Sequence, residues 1–189
     1  MNETYLALLR GINVGGRNRV PMGGLRGLLE DLGLSNVTTY IASGNVLLES
    51  TRRADEIQAQ IEQALPKAFD LDSELIKVLV LSRAQLEAVV RNKPEGFGEQ
   101  PDRYSSDAIF LMGIDAAEAM PAFDPREGVD EVWPGDGVIY SQRLSALRTK
   151  SRLGRIVGTP KYRSMTIRSW QTTTALLELL RAREQSARP

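Results

Sequence analysis

Residues 4–50 read TYLALLRGINVGGRNRVPMGGLRGLLEDLGLSNVTTYIASGNVLLES, and this stretch determines the predicted fold. The nearly continuous apolar run Thr4–Leu9 predicts a buried strand, because a strand covered on both faces carries few polar side chains. After a glycine-rich loop, Pro21 precedes apolar residues at helical spacing, which indicates that a helix starts there. Val37–Ala42 and Val46–Glu49 flank a short turn and predict a hairpin. The predicted order is therefore strand, helix, strand, strand.

The residues that follow complete one unit of four strands and two helices. Apolar residues from Ile57 to Ala68 recur at helical spacing, and Leu75–Leu81 indicates a further strand. The resulting order, βαββαβ, is that of a ferredoxin-like unit. We therefore predict residues 1–82 as the first ferredoxin-like half, 83–105 as a connecting helix and linker, and 106–189 as a second α/β half with a basic C-terminal segment.

The second half repeats this order with shorter elements. The predicted elements are a strand Ala108–Ile114, a short helix Asp115–Met120 capped by Asp115, hairpin strands Val129–Trp133 and Val138–Ser141, a helix Ala146–Val157, a strand Tyr162–Ile167 and a final helix capped by Ser169. Ser82 and Gln85 also match a capping box at the start of the connecting helix. The predicted fold class is α+β, with two consecutive ferredoxin-like (α/β-plait) halves and a C-terminal helix.

Two residue types are absent, and their absence excludes several kinds of chemistry. The 189-residue chain contains no Cys and no His. Thiolate nucleophiles, Ser–His pairs and most transition-metal sites are therefore excluded. We expect no metal and no cofactor, so any reaction would rely on carboxylates, Lys, Arg, Tyr or hydroxyl groups. The N-terminus shows neither a basic leader nor a long apolar run, and we expect a soluble, cytoplasmic protein without membrane contact.

The charged side chains are unevenly distributed along a chain whose formal net charge is zero. Residues 1–29 carry a net charge of +3, residues 30–140 carry −12 and residues 141–189 carry +9. From Ser141 to Leu177 there are eight Lys or Arg residues and no acidic residue. Such segregation is either a set of solvated faces or an anion site formed where the two basic ends meet.

The loop RGINVGGRNR, residues 10–19, is one candidate anion site. It joins a predicted strand to a helix N-terminus, where free N–H groups and the helix dipole favour negative charge. Its glycines permit close approach of a ligand, and its arginines are forked donors for phosphate or carboxylate. The loop matches neither common nucleotide-binding motif, and two glycine turns explain it equally well.

The second candidate is a stripe of arginines on the predicted helix Ala146–Val157. Arg148, Arg152 and Arg155 are spaced so that they would share one helical face, and a solvated face is the alternative. Together the two candidates give these predicted anion-binding residues: Arg10, Gly11, Asn13, Gly15, Gly16, Arg17, Arg148, Arg152, Arg155 and Arg168.

Two further groups are more simply explained by structure. The hydroxyls of Ser169 and residues 172–174, beside Arg168, suit an oxyanion at a helix start, but capping explains Ser169 as well. The turn residues Ser43-Gly44-Asn45 are ordinary turn chemistry, since a serine without any histidine is a poor nucleophile. The strand Val46–Glu49 has no aromatic residue, which argues against base stacking on this sheet.

The segments YLALLRGINVGGRNRVPM, YIASGNV and RTKSRLGRIVGTPKYRSMTIRSWQTTTALLELL resemble the bacterial family called domain of unknown function 1697. The resemblance implies an α/β fold with plait-like halves and implies no function. The family's recurrent positions correspond here to Arg10, Gly11, Asn13, Gly15, Gly16, Ser43, Gly44, Asn45, Arg168 and Trp170. The family more usually has Asn where this chain has Ser169, and both residues cap helices.

The sequence supports three hypotheses about function. The first is binding of a polyanion or phosphorylated ligand, including nucleic acid, where the loop 10–19 meets the basic segment 143–168. The second is an enzyme for a phosphorylated or carboxylated small substrate, with Tyr40, Tyr162 and Lys150 as candidate catalytic residues. The third is a protein–protein adaptor that pairs the acidic middle with the basic ends. The oligomeric state stays open.

Overall fold

The computed structural model describes residues 2–72 and 76–186, and the chain divides into two compact units. The first unit comprises the residues up to Leu86 together with those from Leu176 onward, and the second comprises Glu87–Ala175. The chain passes from the first unit to the second within one helix and returns within the last helix. The predicted boundaries at residues 82 and 105 stay a prediction.

The first unit is a four-stranded antiparallel sheet with two helices of its own. Its elements are β1 (Glu3–Arg10), α1 (Met22–Asp31), β2 (Ser35–Tyr40), β3 (Asn45–Ser50), α2 (Ala54–Ala68) and β4 (Lys77–Ser82). The strand order is β2-β3-β1-β4, with Leu6 opposite Leu47 on one side and Leu81 on the other. The central strand β1 is buried along Tyr5–Leu9, as its apolar run predicts.

Local signals set the ends of these elements. Gly33 adopts φ +80°, and the N–H groups of Gly33 and Leu34 donate to the carbonyls of Glu30 and Leu29, which ends α1 in a Schellman motif. At the other end of the unit, the predicted capping box is confirmed, because Ser82 and Gln85 exchange hydrogen bonds at the start of α3 (Arg83–Arg91). The predicted strand Leu75–Leu81 begins outside the described residues.

The second unit repeats the strand order in a second four-stranded sheet. Its elements are β5 (Tyr104–Leu111), α4 (Ala116–Ala119), β6 (Asp130–Pro134), β7 (Val138–Leu144), β8 (Met165–Ser169) and the start of α5 (Trp170–Ser186). The sheet order β6-β7-β5-β8 matches that of the first unit. The predicted α+β fold, with two consecutive ferredoxin-like halves and a C-terminal helix, is confirmed. Among the described residues, no helix is long and apolar enough to cross a membrane.

The predicted helix Ala146–Val157 is wrong. The segment forms two separate 3-10 helices, Ser145–Lys150 and Leu153–Gly158, and a third, Pro160–Ser164, precedes β8. Between the first two, the backbone at Ser151 is extended, and the N–H of Arg152 donates to the buried carboxylate of Asp130. A tertiary partner for this N–H replaces a helical hydrogen bond, so the chain cannot continue as one helix.

Candidate functional site

The loop between β1 and α1 folds as a miniature hairpin. Gly15 and Gly16 both have positive φ, 57° and 78°, and the N–H of Arg17 donates to the carbonyl of Val14 at 3.0 Å. This is the conformation that glycine adopts without steric cost, which explains the Gly-Gly pair. The N–H of Asn13 donates to the carbonyl of Asn18 at 2.9 Å and closes the base of the turn.

Two asparagines hold this hairpin against the rest of the unit. The Asn13 side chain accepts the N–H of Val20 at 2.8 Å and donates to the carbonyls of Val20 and Ala42. The Asn18 side chain donates to the carbonyl of Gly11 at 2.8 Å and accepts the N–H of Asp72 at 2.9 Å. Sequence reasoning had not assigned Asn18 a role, although an Asn in a glycine-rich loop tolerates the positive φ it adopts here.

A cavity of about 360 Å³ lies where this hairpin meets α1. Its lining residues are Asn13, Gly16, Arg19, Val20 and Pro21. The helix has Pro21 at its N-cap, so no side chain caps it, and its first turn contains no acidic residue. The first helical hydrogen bond is made by the N–H of Leu25. The N–H groups before it therefore remain for water or for an anion.

Two loop arginines, Arg17 and the cavity-lining Arg19, differ from Arg10. Arg17 and Arg19 are exposed, and within the described residues their side chains form no ion pair or hydrogen bond. Arg10 is half-buried at the end of β1, in register with Lys77 of β4. The hairpin thus presents two exposed cations, and one of them, Arg19, lines the cavity at the uncapped helix N-terminus.

The other predicted anion-binding residues lie in the second unit and do not form a stripe. Arg152 and Arg155 both contact the carboxylate of Asp124, with N–O distances of 3.3 and 2.8 Å. Arg148 is exposed on the preceding 3-10 helix, and no ion pair is found for it in the described part of the chain. The interpretation of these arginines as one unbalanced helical stripe is therefore wrong, because the helix is broken and Asp124 balances two of them.

Arg168 is buried in β8 rather than displayed on a surface. Its Nη1 donates to the Thr166 hydroxyl at 2.8 Å and to the carbonyl of Ile167 at 2.9 Å. Burial lowers the pKa of the Arg168 guanidinium to about 10. Its hydrogen bonds and its burial indicate a role in packing of the second unit.

The hydroxyls at the start of α5 and the turn residues 43–45, for which capping and turn formation were the simpler explanations, make hydrogen bonds within the fold. The Ser169 hydroxyl accepts the N–H of Thr172 at 3.1 Å, which confirms it as the cap of α5. The hydroxyls of Thr173 and Thr174 donate to carbonyls one turn earlier. In the hairpin turn, the buried Asn45 side chain donates to the carbonyl of Tyr40 at 3.1 Å.

The candidate catalytic residues of the enzyme hypothesis do not come together in a described cavity. Tyr40 ends β2, Lys150 ends a 3-10 helix, and Tyr162 packs against the core of the second unit. None of the three is a lining residue of the cavity beside the loop or of the cavity described below in the second unit. Those residues also contain no group of three or more side chains suited to a metal ion.

Comparisons with known proteins give a family and a fold. The model of the family described as "Protein of unknown function (DUF1697)" matches residues 1–140. The solved structure of the conserved bacterial protein SP0830 from Streptococcus pneumoniae is similar, with 25% identity and a TM-score of 0.80. The similarity covers 95% of this chain and 99% of that chain. A comparison with curated proteins finds no match.

Proposed function

This chain belongs to the DUF1697 family of proteins of unknown function, and we propose that it binds a phosphorylated ligand through the loop between β1 and α1. The observation that carries the proposal is the position of Arg19, which lines a cavity at the uncapped N-terminus of α1. Free backbone N–H groups, the positive end of the helix dipole and a guanidinium act together there on one anion.

The rigidity of the hairpin supports this proposal. Asn13 and Asn18 hold the loop by side-chain hydrogen bonds, so the backbone from which Arg19 extends is positioned before a ligand binds. A site held in place before binding loses less conformational entropy when the ligand arrives. The cavity of about 360 Å³ suits a small phosphorylated molecule or one phosphate of a longer chain.

The charge balance also supports an anion. Arg17 and Arg19 have no acidic partner within the described residues, whereas Arg152 and Arg155 share Asp124. A cation whose charge is not already balanced attracts an external anion more strongly. We place this activity in the cytoplasm, where phosphorylated metabolites and nucleic acids are available.

A thermal-shift experiment with inorganic phosphate, pyrophosphate and a panel of phosphorylated metabolites tests the small-ligand form of the proposal. We expect a concentration-dependent rise in melting temperature, since a ligand that binds the folded chain stabilises it. Arg19→Glu should weaken binding by about 10- to 100-fold, the loss of one charge-assisted hydrogen bond. Arg26→Glu makes the same change of charge on α1 outside the cavity lining and is the matched control.

Fluorescence anisotropy of labelled RNA and DNA tests the nucleic-acid form. Affinity that falls with a log–log salt slope of several units indicates contacts to many phosphates. A triple charge reversal at Arg148, Arg152 and Arg155 then shows whether the second unit contributes. The proposal is wrong if no phosphate-bearing probe binds, or if Arg19→Glu and Arg26→Glu weaken binding equally.

A further inference from the structure

A second cavity, distinct from the loop site, lies entirely within the second unit. It has a volume of about 530 Å³, which falls in the range of small-molecule sites. Three stretches of chain meet around it: the segment before and at the start of β5, the start of the 3-10 helix that follows β7, and the start of α5. The lining residues are Gly98, Pro101, Tyr104, Ser105, Ser106, Ser145, Ser169, Trp170, Gln171 and Thr174.

The lining is rich in hydroxyl groups and contains no charged side chain. Six of the ten lining residues carry a hydroxyl. Ser106 donates to Gln142, and Ser169 and Thr174 are used within α5. The hydroxyls of Tyr104, Ser105 and Ser145, however, form no hydrogen bond with any described residue. These three groups are therefore available to a ligand or to water.

The nearest cations along the chain are Arg103 and Arg143, and neither is a lining residue of the cavity. The guanidinium of Arg103 lies over the Tyr104 ring, 5.1 Å from its centroid. Arg143, next in the chain to Gln142, acts electrostatically on the carboxylates of Asp107 and Asp130. An ionised ligand would find no opposite charge among the lining side chains themselves, whereas a neutral ligand does not require one.

The hydroxyls also favour a particular kind of neutral ligand. A phosphate or carboxylate oxygen only accepts hydrogen bonds, whereas the Ser and Tyr hydroxyls both donate and accept. A ligand that carries hydroxyls of its own uses both capacities. At the start of α5, the Ser169 hydroxyl already accepts the N–H of Thr172, so this helix N-terminus is capped by a side chain, unlike that of α1.

The aromatic wall is held rigidly in place. Phe97 packs edge-on against Trp170, with ring centroids 5.0 Å apart, and the backbone of Gly98 lies directly against the indole ring. Any side chain at Gly98 would collide with that ring, and its φ of +72° also favours glycine. Trp170 thus gives the cavity a fixed apolar surface beside its hydroxyls, and the Tyr104 ring adds a second aromatic surface, which suits the C–H face of a sugar ring.

We propose that this cavity binds an uncharged, polyhydroxylated ligand of the size of a monosaccharide. The hydroxyls of Tyr104, Ser105 and Ser145 hydrogen-bond the ligand, and the Trp170 and Tyr104 rings contact its apolar face. This site is independent of the phosphate site in the first unit.

The fluorescence of Trp170 gives a direct test. The chain has two Trp residues, and Trp133→Phe leaves Trp170 as the reporter in the cavity wall while keeping a ring in the aromatic cluster. This variant is titrated with glucose, galactose, ribose and myo-inositol, each up to about 50 mM to reach weak affinities, and with glucose 6-phosphate and gluconate as charged counterparts. We expect a saturable change in emission with at least one neutral compound and binding at least tenfold weaker for the charged ones.

Two hydroxyl deletions and one control locate the binding. Ser105→Ala and Ser145→Ala should each lower the affinity for the neutral ligand by about tenfold. Thr149→Val removes an exposed hydroxyl from the same 3-10 helix as Ser145, outside the cavity lining, and should leave the affinity unchanged. Circular dichroism confirms that each variant is folded. The proposal is overturned if no neutral compound changes the emission, if a charged counterpart binds as well, or if the two alanine variants bind like Thr149→Val.

Discussion

The buried carboxylate of Asp130, at the start of β6, accepts the backbone N–H of Arg152, 22 residues further along the chain, at 2.8 Å. The same oxygen accepts the N–H of Arg126 at 3.0 Å, and no hydrogen bond reaches the other carboxylate oxygen from any described residue. One side chain therefore orders two loop segments that lead away from the sheet. This contact also ends the first of the two 3-10 helices that replace the predicted helix.

Asp130→Asn should destabilise the protein by about 1–3 kcal/mol at neutral pH, because it replaces an ionised acceptor by a weaker neutral one. Burial by itself raises the pKa of Asp130, but hydrogen bonds from Arg152, Ser151 and Arg126 and the charge of Arg143 bring it below its usual value. A depressed folded-state pKa means that this stabilisation is present above the unfolded-state value of about 4 and is lost as the pH falls.

Urea unfolding at several pH values measures this difference. The free energies of unfolding of the wild type and of Asp130→Asn should converge as the medium becomes acidic, since the wild-type carboxyl then becomes neutral too. A constant gap between the two proteins down to the most acidic pH would show that the charge of Asp130 is unimportant.

Gly44→Ala should be more destabilising than Gly16→Ala, although both glycines have a positive φ close to 75°. A Cβ on Gly44 would lie 2.9 Å from the carbonyl oxygen of Leu9, whereas a Cβ on Gly16 would meet nothing within 4 Å. Both substitutions carry the backbone cost of about 1 kcal/mol for a non-glycine residue in this region. Only Gly44→Ala adds a clash where the hairpin turn contacts β1, and melting temperatures compare the two.

Much of the fold could be predicted from the sequence because its signals are local. The apolar run of β1, the glycine that ends α1, the Ser82 and Gln85 capping box and the cap at Ser169 each depend on neighbours within a few residues. Their physical causes, burial of a strand and satisfaction of helix-end groups, act without knowledge of the rest of the chain.

The broken helix and the second cavity depend on long-range contacts and were missed for that reason. The helical spacing of Arg148, Arg152 and Arg155 is real in the sequence, but Asp130 removes the backbone donor that such a helix needs. Ser105 and Ser145 come to line one cavity only when β5 and β7 pair, so neither position shows a local pattern. Asn13 was predicted to bind an anion, but its side chain forms hydrogen bonds with the backbone of Val20 and Ala42.

Asn13→Gly should loosen the loop between β1 and α1 and weaken the proposed phosphate binding. Glycine keeps the positive φ of 54° accessible, so the change removes the side-chain hydrogen bonds without adding backbone strain. We expect faster amide hydrogen exchange at Val20, by the equivalent of about 1–3 kcal/mol of local opening. Asn36→Gly is the matched control, since Asn36 also has a positive φ and its side chain donates a hydrogen bond to the half-buried Glu49, away from the loop between β1 and α1. If both variants lost the same amount of phosphate affinity, the conformation of the loop between β1 and α1 would not determine phosphate binding.

Tyr140→Phe should destabilise the second unit, because the fully buried Tyr140 hydroxyl donates to the carbonyl of Val89 at 2.7 Å. Leaving that carbonyl without its donor costs about 1–3 kcal/mol. Tyr104→Phe is the control, since no hydrogen bond to the Tyr104 hydroxyl is found among the described residues, and its stability should stay within about 0.5 kcal/mol of wild type.

Ionisation of the same hydroxyl should destabilise the folded protein at alkaline pH. Burial raises the pKa of Tyr140 to about 12. Because this folded-state pKa lies above the unfolded value of about 10, the contribution is complete below pH 10 and is lost as the pH rises through 12. The stability difference between wild type and Tyr140→Phe, measured by urea unfolding, should therefore shrink at alkaline pH. In a phenolate absorbance titration of the folded protein, Tyr140→Phe should remove one late-titrating group and leave that of Tyr5, whose pKa is also raised to about 12. Loss of an early-titrating group instead would mean that the Tyr140 hydroxyl reaches water in the folded protein.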